Sequence, residues 1–382
     1  MALARTRPVQ LIVSFLSIGL LCHASLYADI YVLTDLGDLR GGNGTSSAWA
    51  INESGQVAGF TERSGGLGHA FRWDSVNGMQ DLGDLEGGGG QSFARSINSK
   101  GWVVGESSVA GSSDNRGFLW TESGMVDLGT LPGTSAVTGA NDINDSDQVV
   151  GFSAGQAFVW ESATGIRALE TLPDVTLSNA RGINNSGRVT GSIRTSAGTF
   201  AATWDLNTNE MQNLGDLPGG VDFSIGIDIN EKGQIAGVGT TATGNHAFFW
   251  DSATGMHDIG DLPGGDGTDY TVAKGLNDVG QVVGIGGLNR GRGFIWDSVN
   301  GIRDLNSLLD PSAEGWIIGS AEGINNSGVI AAIASRNRRT HAVLLTPLAV
   351  PEPGAIGVLV AAVFGLSFRR VRSRRCTLRT AV

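Results

Sequence analysis

The sequence predicts an all-β fold: a seven-bladed β-propeller of four-stranded antiparallel blades, its last blade completed by the N-terminal strand. Three observations carry that expectation. A phrase of an apolar residue, Asn, a short turn, Gly and a β-branched run recurs seven times, from INESGQVAG at Ile51–Gly59 to INNSGVIAA at Ile324. Its asparagines, Asn52, Asn98, Asn144, Asn184, Asn230, Asn277 and Asn325, fall 46, 46, 40, 46, 47 and 48 residues apart, a period that suits four-stranded propeller blades. A Leu-rich run also has seven copies, yet one stands before the first Asn turn and nothing of the kind follows the last third strand.

The fifth unit shows how each element is assigned. Phe223–Asn230 is short and alternating, Asn230–Gly233 supplies turn residues, and Gln234–Val238 returns as a second strand. Asn bonds its own backbone and Gly accepts a positive φ, so the pair reads as a hairpin. HAFFW (His246–Trp250) is a third strand, Asp251–Gly255 a tight turn, and Met256–Leu262 a fourth strand. Every segment is short and bounded by Gly, Asn or Pro, which leaves no room for a helix.

The third strand recurs at Trp73, Trp120, Trp160, Trp204, Trp250, Trp296 and Leu345, and one large apolar residue at a fixed place reads as packing between units. His69, His246 and His341 share one repeat position and read as structural. The fourth strand is assigned to the runs at 34–39, 81–85, 127–131, 168–172, 213–217, 258–262 and 304–308. The first of these precedes the first hairpin and completes the unit of His341–Leu345, which closes the ring and removes exposed edges. An open solenoid would need polar capping repeats, and none is visible. With the fourth strand outermost, the Ser-, Ala- and Gly-rich strand before each Asn turn lies nearest the axis. The connections between second and third strands vary most in length, and variable loops on a regular scaffold are where binding is grafted.

The chain has 382 residues, divided on this reading into a leader (1–28), the propeller (29–347) and a tail (348–382). Arg5 and Arg7, the apolar run Leu11–Leu21 and small residues up to Ala28 describe a secretory signal peptide. Cys22 would suit a lipoprotein only if a small residue stood at Leu21. Both cysteines, Cys22 and Cys376, lie in these end segments, so the propeller has no thiol ligand or disulfide. Residues 29–350 carry a net charge of about −18, a field that repels nucleic acid and makes it an unexpected partner.

After Pro347 come Pro351, Glu352 and Pro353, then the uncharged run Ala355–Phe368, then Arg369, Arg370, Arg372, Arg374 and Arg375. Starting at Pro353, the run is marginally long enough to span a bilayer, with the arginines held in the cytoplasm. This order closely resembles the PEP-CTERM sorting signal. The resemblance implies an exosortase as partner, a Gram-negative host that makes exopolysaccharide, and transient inner-membrane anchoring before release to the cell surface. The repeats, from Tyr31 to about Pro347, resemble the HAF family of extracellular repeats, with HAF standing at His69–Phe71 and His246–Phe248. Four third strands lack the His. The family implies an extracellular protein and brings no established activity.

Three stretches invite chemistry. GIGGLNRGRG (Gly284–Gly293) superficially resembles a phosphate loop but lies between two strands with no helix to follow. NDINDSD (Asn141–Asp147) alternates oxygen ligands that would suit Ca²⁺, yet lacks the Gly turn and distal Glu of a calcium loop. WDS-x-x-G at Trp73, Trp250 and Trp296 resembles the Asp-box turns of glycosidase propellers, which are structural there too. One repeat position stands apart. Two residues before each apolar–Asn pair stand Trp49, Arg95, Asn141, Arg181, Ile227, Lys274 and Glu322, which differ while their surroundings do not. Near the axis, three cations there would hold a carboxylate or an acidic sugar; the plainer reading is a row of solvated or salt-bridged side chains. No nucleophile, base and orienting group stand together. The expectation is a secreted, non-enzymatic binding module of the exopolysaccharide matrix, binding a glycan or a surface protein, with no catalytic residue, metal site or cofactor beyond a possible Ca²⁺. A polysaccharide lyase or hydrolase and a purely structural matrix protein are the alternatives.

Overall fold

The computed structural model describes residues 30–348, apart from 42–43, 64–66, 110–113, 134–136, 263–269 and 288–290. The expected leader and sorting tail, with Pro351, Glu352, Pro353, Arg369 and Arg370, lie outside the described residues. Among those described, no helix is long and apolar enough to cross a membrane.

The strands form seven four-stranded antiparallel sheets, each a simple meander. Blade 1, for example, runs through Ser46–Ile51, Val57–Glu62, Gly68–Asp74 and Gly78–Asp81. Blade 7 takes Ile317–Ile324, Ile330–Arg336 and Arg339–Pro347 from one end of the chain and Tyr31–Asp35 from the other. Tyr31 pairs with Pro347 and Asp35 with Val343, so the N-terminal strand closes the ring as expected. Tyr31 is 1% exposed and packs among Leu305, Leu308 and Leu345. The first strand of each blade packs on its neighbours around the axis, blade 7 against blade 1. The propeller is a closed ring.

The Leu-rich runs need correction. In blade 1 the outer strand ends at Asp81, where DLGDL begins. Asp81 Oδ1 accepts from the Gly83 N–H at 2.9 Å, and Gly83 takes φ +74°, so the strand cannot continue. Leu82 and Leu85 are instead buried between blades 1 and 2 with Ala70, Ala94, Val103 and Phe118. Both leucines thus belong to the link, where each plug contributes roughly 1.5–3 kcal/mol of burial. The last link also forms two short 3₁₀ turns, Leu305–Leu308 and Pro311–Ala313, where no helical turn was expected.

Within a blade the third-strand Phe is the central plug: Phe71, Phe118, Phe158, Phe248 and Phe294 are all 0% exposed. Each pairs with a second-strand glycine, as Phe71 does with Gly59. A Cβ on Gly59 would lie 2.0 Å from the Ser47 carbonyl oxygen, so the inner strand leans into the space that a side chain would fill. The histidines are structural, as expected. His69 Nδ1 lies 2.8 Å from Asp81, His246 Nδ1 2.7 Å from Asp258, and His341 Nδ1 3.2 Å from Asp35, each linking the third strand to the outer one. Arg292 makes the same link to Asp304 at 3.1 Å.

The repeated asparagines do more than turn the chain. Asn230 Oδ1 accepts from the Lys232 and Gln234 N–H groups at 3.1 and 2.9 Å, the local role expected of it. Its Nδ2 donates to the Asn277 carbonyl of the next blade at 3.0 Å. The same donation runs from Asn52 to Asn98, Asn144, Asn184 and Asn230, then from Asn277 to Asn325 and from Asn325 back to Asn52 at 3.3 Å. All seven are buried. A closed circle of side-chain bonds therefore ties the blades together at the end of the ring that carries the Asn turns.

Candidate functional site

Each inner strand carries a β-bulge, and the bulge falls at the divergent position. Pairing skips Trp49 between Ala48 and Ala50, and likewise skips Arg95, Asn141, Arg181, Ile227, Lys274 and Glu322. A bulged residue leaves the ladder and its side chain is re-aimed. Here all seven line one axial cavity of about 790 Å³. The bulge explains the variation: freed from the blade's packing, this residue can differ while its neighbours cannot.

The seven side chains are not equivalent. Trp49 stands 5.2 Å from Phe60 and 6.2 Å from Phe93, ring centre to ring centre, forming an aromatic wall across blades 1 and 2. Arg95 lies over Trp49 at 4.6 Å and pairs with Glu106 at 3.3 Å, so its charge is already answered. Asn141 donates to Asn179 Oδ1 and to the Ala180 carbonyl at 2.9 and 2.7 Å. Glu322 accepts from the Ser320 hydroxyl. Arg181 differs. Its Nε is buried with no hydrogen-bond partner, and it forms no ion pair among the described residues. Burial, and secondarily the Arg95 guanidinium, hold it below the usual arginine range. Lys274 likewise has no ion pair among the described residues.

Two residues escaped the sequence reading. Asp142 and Asp228 follow the bulges of blades 3 and 5 and line the same cavity. Asp142 accepts from the Ser96 hydroxyl at 2.5 Å, from Ile143 N–H at 2.9 Å and from Ile183 N–H of the next blade at 2.7 Å. Asp228 accepts from Ile229 N–H and, in the next blade, from Leu276 N–H at 2.8 and 2.7 Å. Burial raises Asp142 to about 6; burial and then the charge of Asp142 raise Asp228 to about 7. The signal lay one position on, where the other blades carry Ala50, Ser96, Gly182, Gly275 and Gly323.

The possible calcium stretch does not converge. Asp142 faces the cavity, Asp145 accepts from Ser99 N–H at 2.9 Å, and Asp147 binds Lys100 Nζ at 2.7 Å. Among the described residues no group of three His, Cys, Asp or Glu is placed to hold a metal ion. Gly284–Gly293 spans a hairpin of blade 6, in part outside the described residues. The Asp74 turn is held by its own carboxylate, which accepts from Val76 and Asn77 N–H at 2.9 and 2.7 Å.

No family model matches the chain, and no curated protein matches it. Among solved structures, virginiamycin B lyase from Staphylococcus aureus is similar at 12% identity and TM-score 0.52, over 83% of this chain and all (100%) of that one. A puromycin-hydrolysing peptidase from Mycobacterium tuberculosis is similar at 9% identity and TM-score 0.52, over 81% of this chain and 52% of the peptidase. At such identities the likeness speaks to the propeller fold alone.

Proposed function

We propose that this chain is a secreted, non-enzymatic binding module of the exopolysaccharide matrix, and that its axial cavity takes an acidic saccharide. The observation that carries this reading is Arg181, a guanidinium held in the cavity with no carboxylate partner among the described residues. Burying an unpaired charge is costly, and an incoming carboxylate relieves that cost through charge-assisted bonds. Lys274 adds a second cation, and Trp49, backed by Phe60 and Phe93, offers an apolar face to a sugar ring. The resemblance of the tail to an exosortase signal, and of the repeats to HAF proteins, supports a place at the surface of a Gram-negative cell.

The second reading, an enzyme acting on the same polymer, is favoured by the raised carboxyls of Asp142 and Asp228 in the same cavity. Against it, both accept backbone N–H bonds across a blade boundary, the arrangement of a structural pin.

The test is co-elution of the full chain, purified in mild detergent, with polygalacturonate on a sizing column, with dextran as the neutral control. Polygalacturonate is expected to carry the protein at unchanged polymer length, and Arg181→Gln to weaken that binding about tenfold or more, the scale of a lost charged hydrogen bond. A shortened polymer would establish the enzyme reading instead. Equal binding to dextran, or none to either, would sink the acidic-saccharide reading.

A further inference from the structure

A second, smaller cavity adjoins the axial one. Between blades 3 and 4, at the end that bears the variable loops, lies a notch of about 250 Å³. Phe152 and Asn179 line both it and the axial cavity, so the two adjoin. We infer that this notch is a second subsite, receiving the next sugar of an acidic oligosaccharide whose terminal unit occupies the axial cavity. The inference rests on the acidic-saccharide reading of that cavity.

The notch is built by a shortened connection. In blade 3 the second strand, Val149–Ser153, joins the third, Gln156–Glu161, through Ala154 and Gly155 alone. Both take left-handed conformations, φ 52° and 79°, as the tightest hairpins require. The same connection in blades 1, 2 and 5 is longer, and in blade 7 it is equally short. A Cβ on Gly155 would come 2.8 Å from Leu177 Cδ2, so the missing side chain is part of the opening.

The walls suit a sugar. Phe152, Leu177 and Ile193 present apolar surface, and Leu177 is 45% exposed, with its face uncovered. Arg194 stands at the rim, exposed and with no ion pair among the described residues. Arg181 inside and Arg194 at the rim thus place unpaired cations at successive positions in a strongly acidic protein, as a chain carrying a carboxylate on each unit would need. A single sugar gains nothing from the notch. A chain gains a second contact at high effective concentration.

The experiment compares galacturonic acid with trigalacturonate by titration calorimetry on the full chain in mild detergent. Wild-type protein is expected to bind the trimer at least tenfold more tightly than the monomer. Leu177→Trp, which fills the notch from an exposed position, and Arg194→Gln, which removes the rim charge without adding bulk, should each erase most of that preference and leave monomer binding unaltered. Arg181→Gln should weaken both ligands alike. A wild-type trimer no tighter than the monomer, or a preference that survives both notch variants, would overturn the subsite while the axial reading stands. Failure of the wild type to bind either ligand would remove the axial reading, and the subsite with it.

Discussion

Replacing Asn230 by Ala is expected to destabilise the propeller by about 3 kcal/mol, on the scale of a large core truncation. Asn230 is 4% exposed and engaged at both ends of its amide. Its oxygen accepts from Lys232 and Gln234 N–H; its nitrogen donates to Gln234 Oε1 at 2.8 Å and to the Asn277 carbonyl at 3.0 Å. Alanine leaves two part-buried N–H groups and one buried inter-blade carbonyl unanswered, each costing up to about 1–3 kcal/mol where water cannot reach it. The loss should appear as a fall in Tm of several degrees by calorimetry.

Asn230→Asp separates the two halves of the role. Aspartate keeps the acceptor that shapes the turn and lacks the donor that reaches blade 6. If Asn230 only turns the chain, Asp should be tolerated, because Asp is as good a turn residue as Asn. If the bond between blades matters, Asp should cost at least as much as Ala, since it sets a buried carboxylate against a carbonyl oxygen. Equal stability of the Asp variant and wild type would refute the circular ladder as a stabilising device. Lys232→Ala, an exposed change in the same turn, should stay within about 0.5 kcal/mol and serves as the control.

The contrast between these roles shows what was legible in the sequence. Blade number, strand order and ring closure follow from counting, because each repeat is one unit and an unmatched strand at one end answers a gap at the other. Divergence at Trp49, Arg95, Asn141, Arg181, Ile227, Lys274 and Glu322 was also legible, as variation against a constant frame. The bulge that causes it was not, because it is a shift in pairing between strands whose residue types do not announce it. For the same reason the Asn ladder stayed hidden: its partner is a carbonyl about 46 residues away, placed there only by the curvature of the ring. The Leu-rich runs misled because Leu-x-x-Leu spans both a strand and a buried link, and a positive φ at Gly83 decides between them. Asp142 and Asp228 were two among 37 acidic residues until the bulge beside each turned it into the cavity.

Those two carboxyls make stability and binding depend on pH in the same direction. Asp142 and Asp228 are raised from 3.8 to about 6 and about 7 by burial, with the charge of Asp142, and after it that of Asp278, acting further on Asp228. A carboxyl raised in the folded state binds its proton more tightly there than in the unfolded chain. Its contribution to stability is therefore complete below about pH 3.8 and is lost as pH rises through about 6 and about 7. Between pH 5 and pH 8 the pair should cost on the order of 2 kcal/mol, a discount from the full shifts because both side chains partly face the cavity. The carboxylates held low by their own turns, such as Asp74 and Asp251, lose their contribution only below this window. Wild-type Tm should thus be higher at pH 5 than at pH 8, and the double variant Asp142→Asn, Asp228→Asn should show less of that slope. Protonating the same groups removes negative charge from the cavity that holds Arg181, so galacturonate affinity should rise several-fold as pH falls from 8 to 5 and stay level in the double variant. A slope in Tm unchanged by the substitutions would mean that other groups set it. A flattened Tm slope with an unchanged affinity slope would separate the pins of the ring from the chemistry of its cavity.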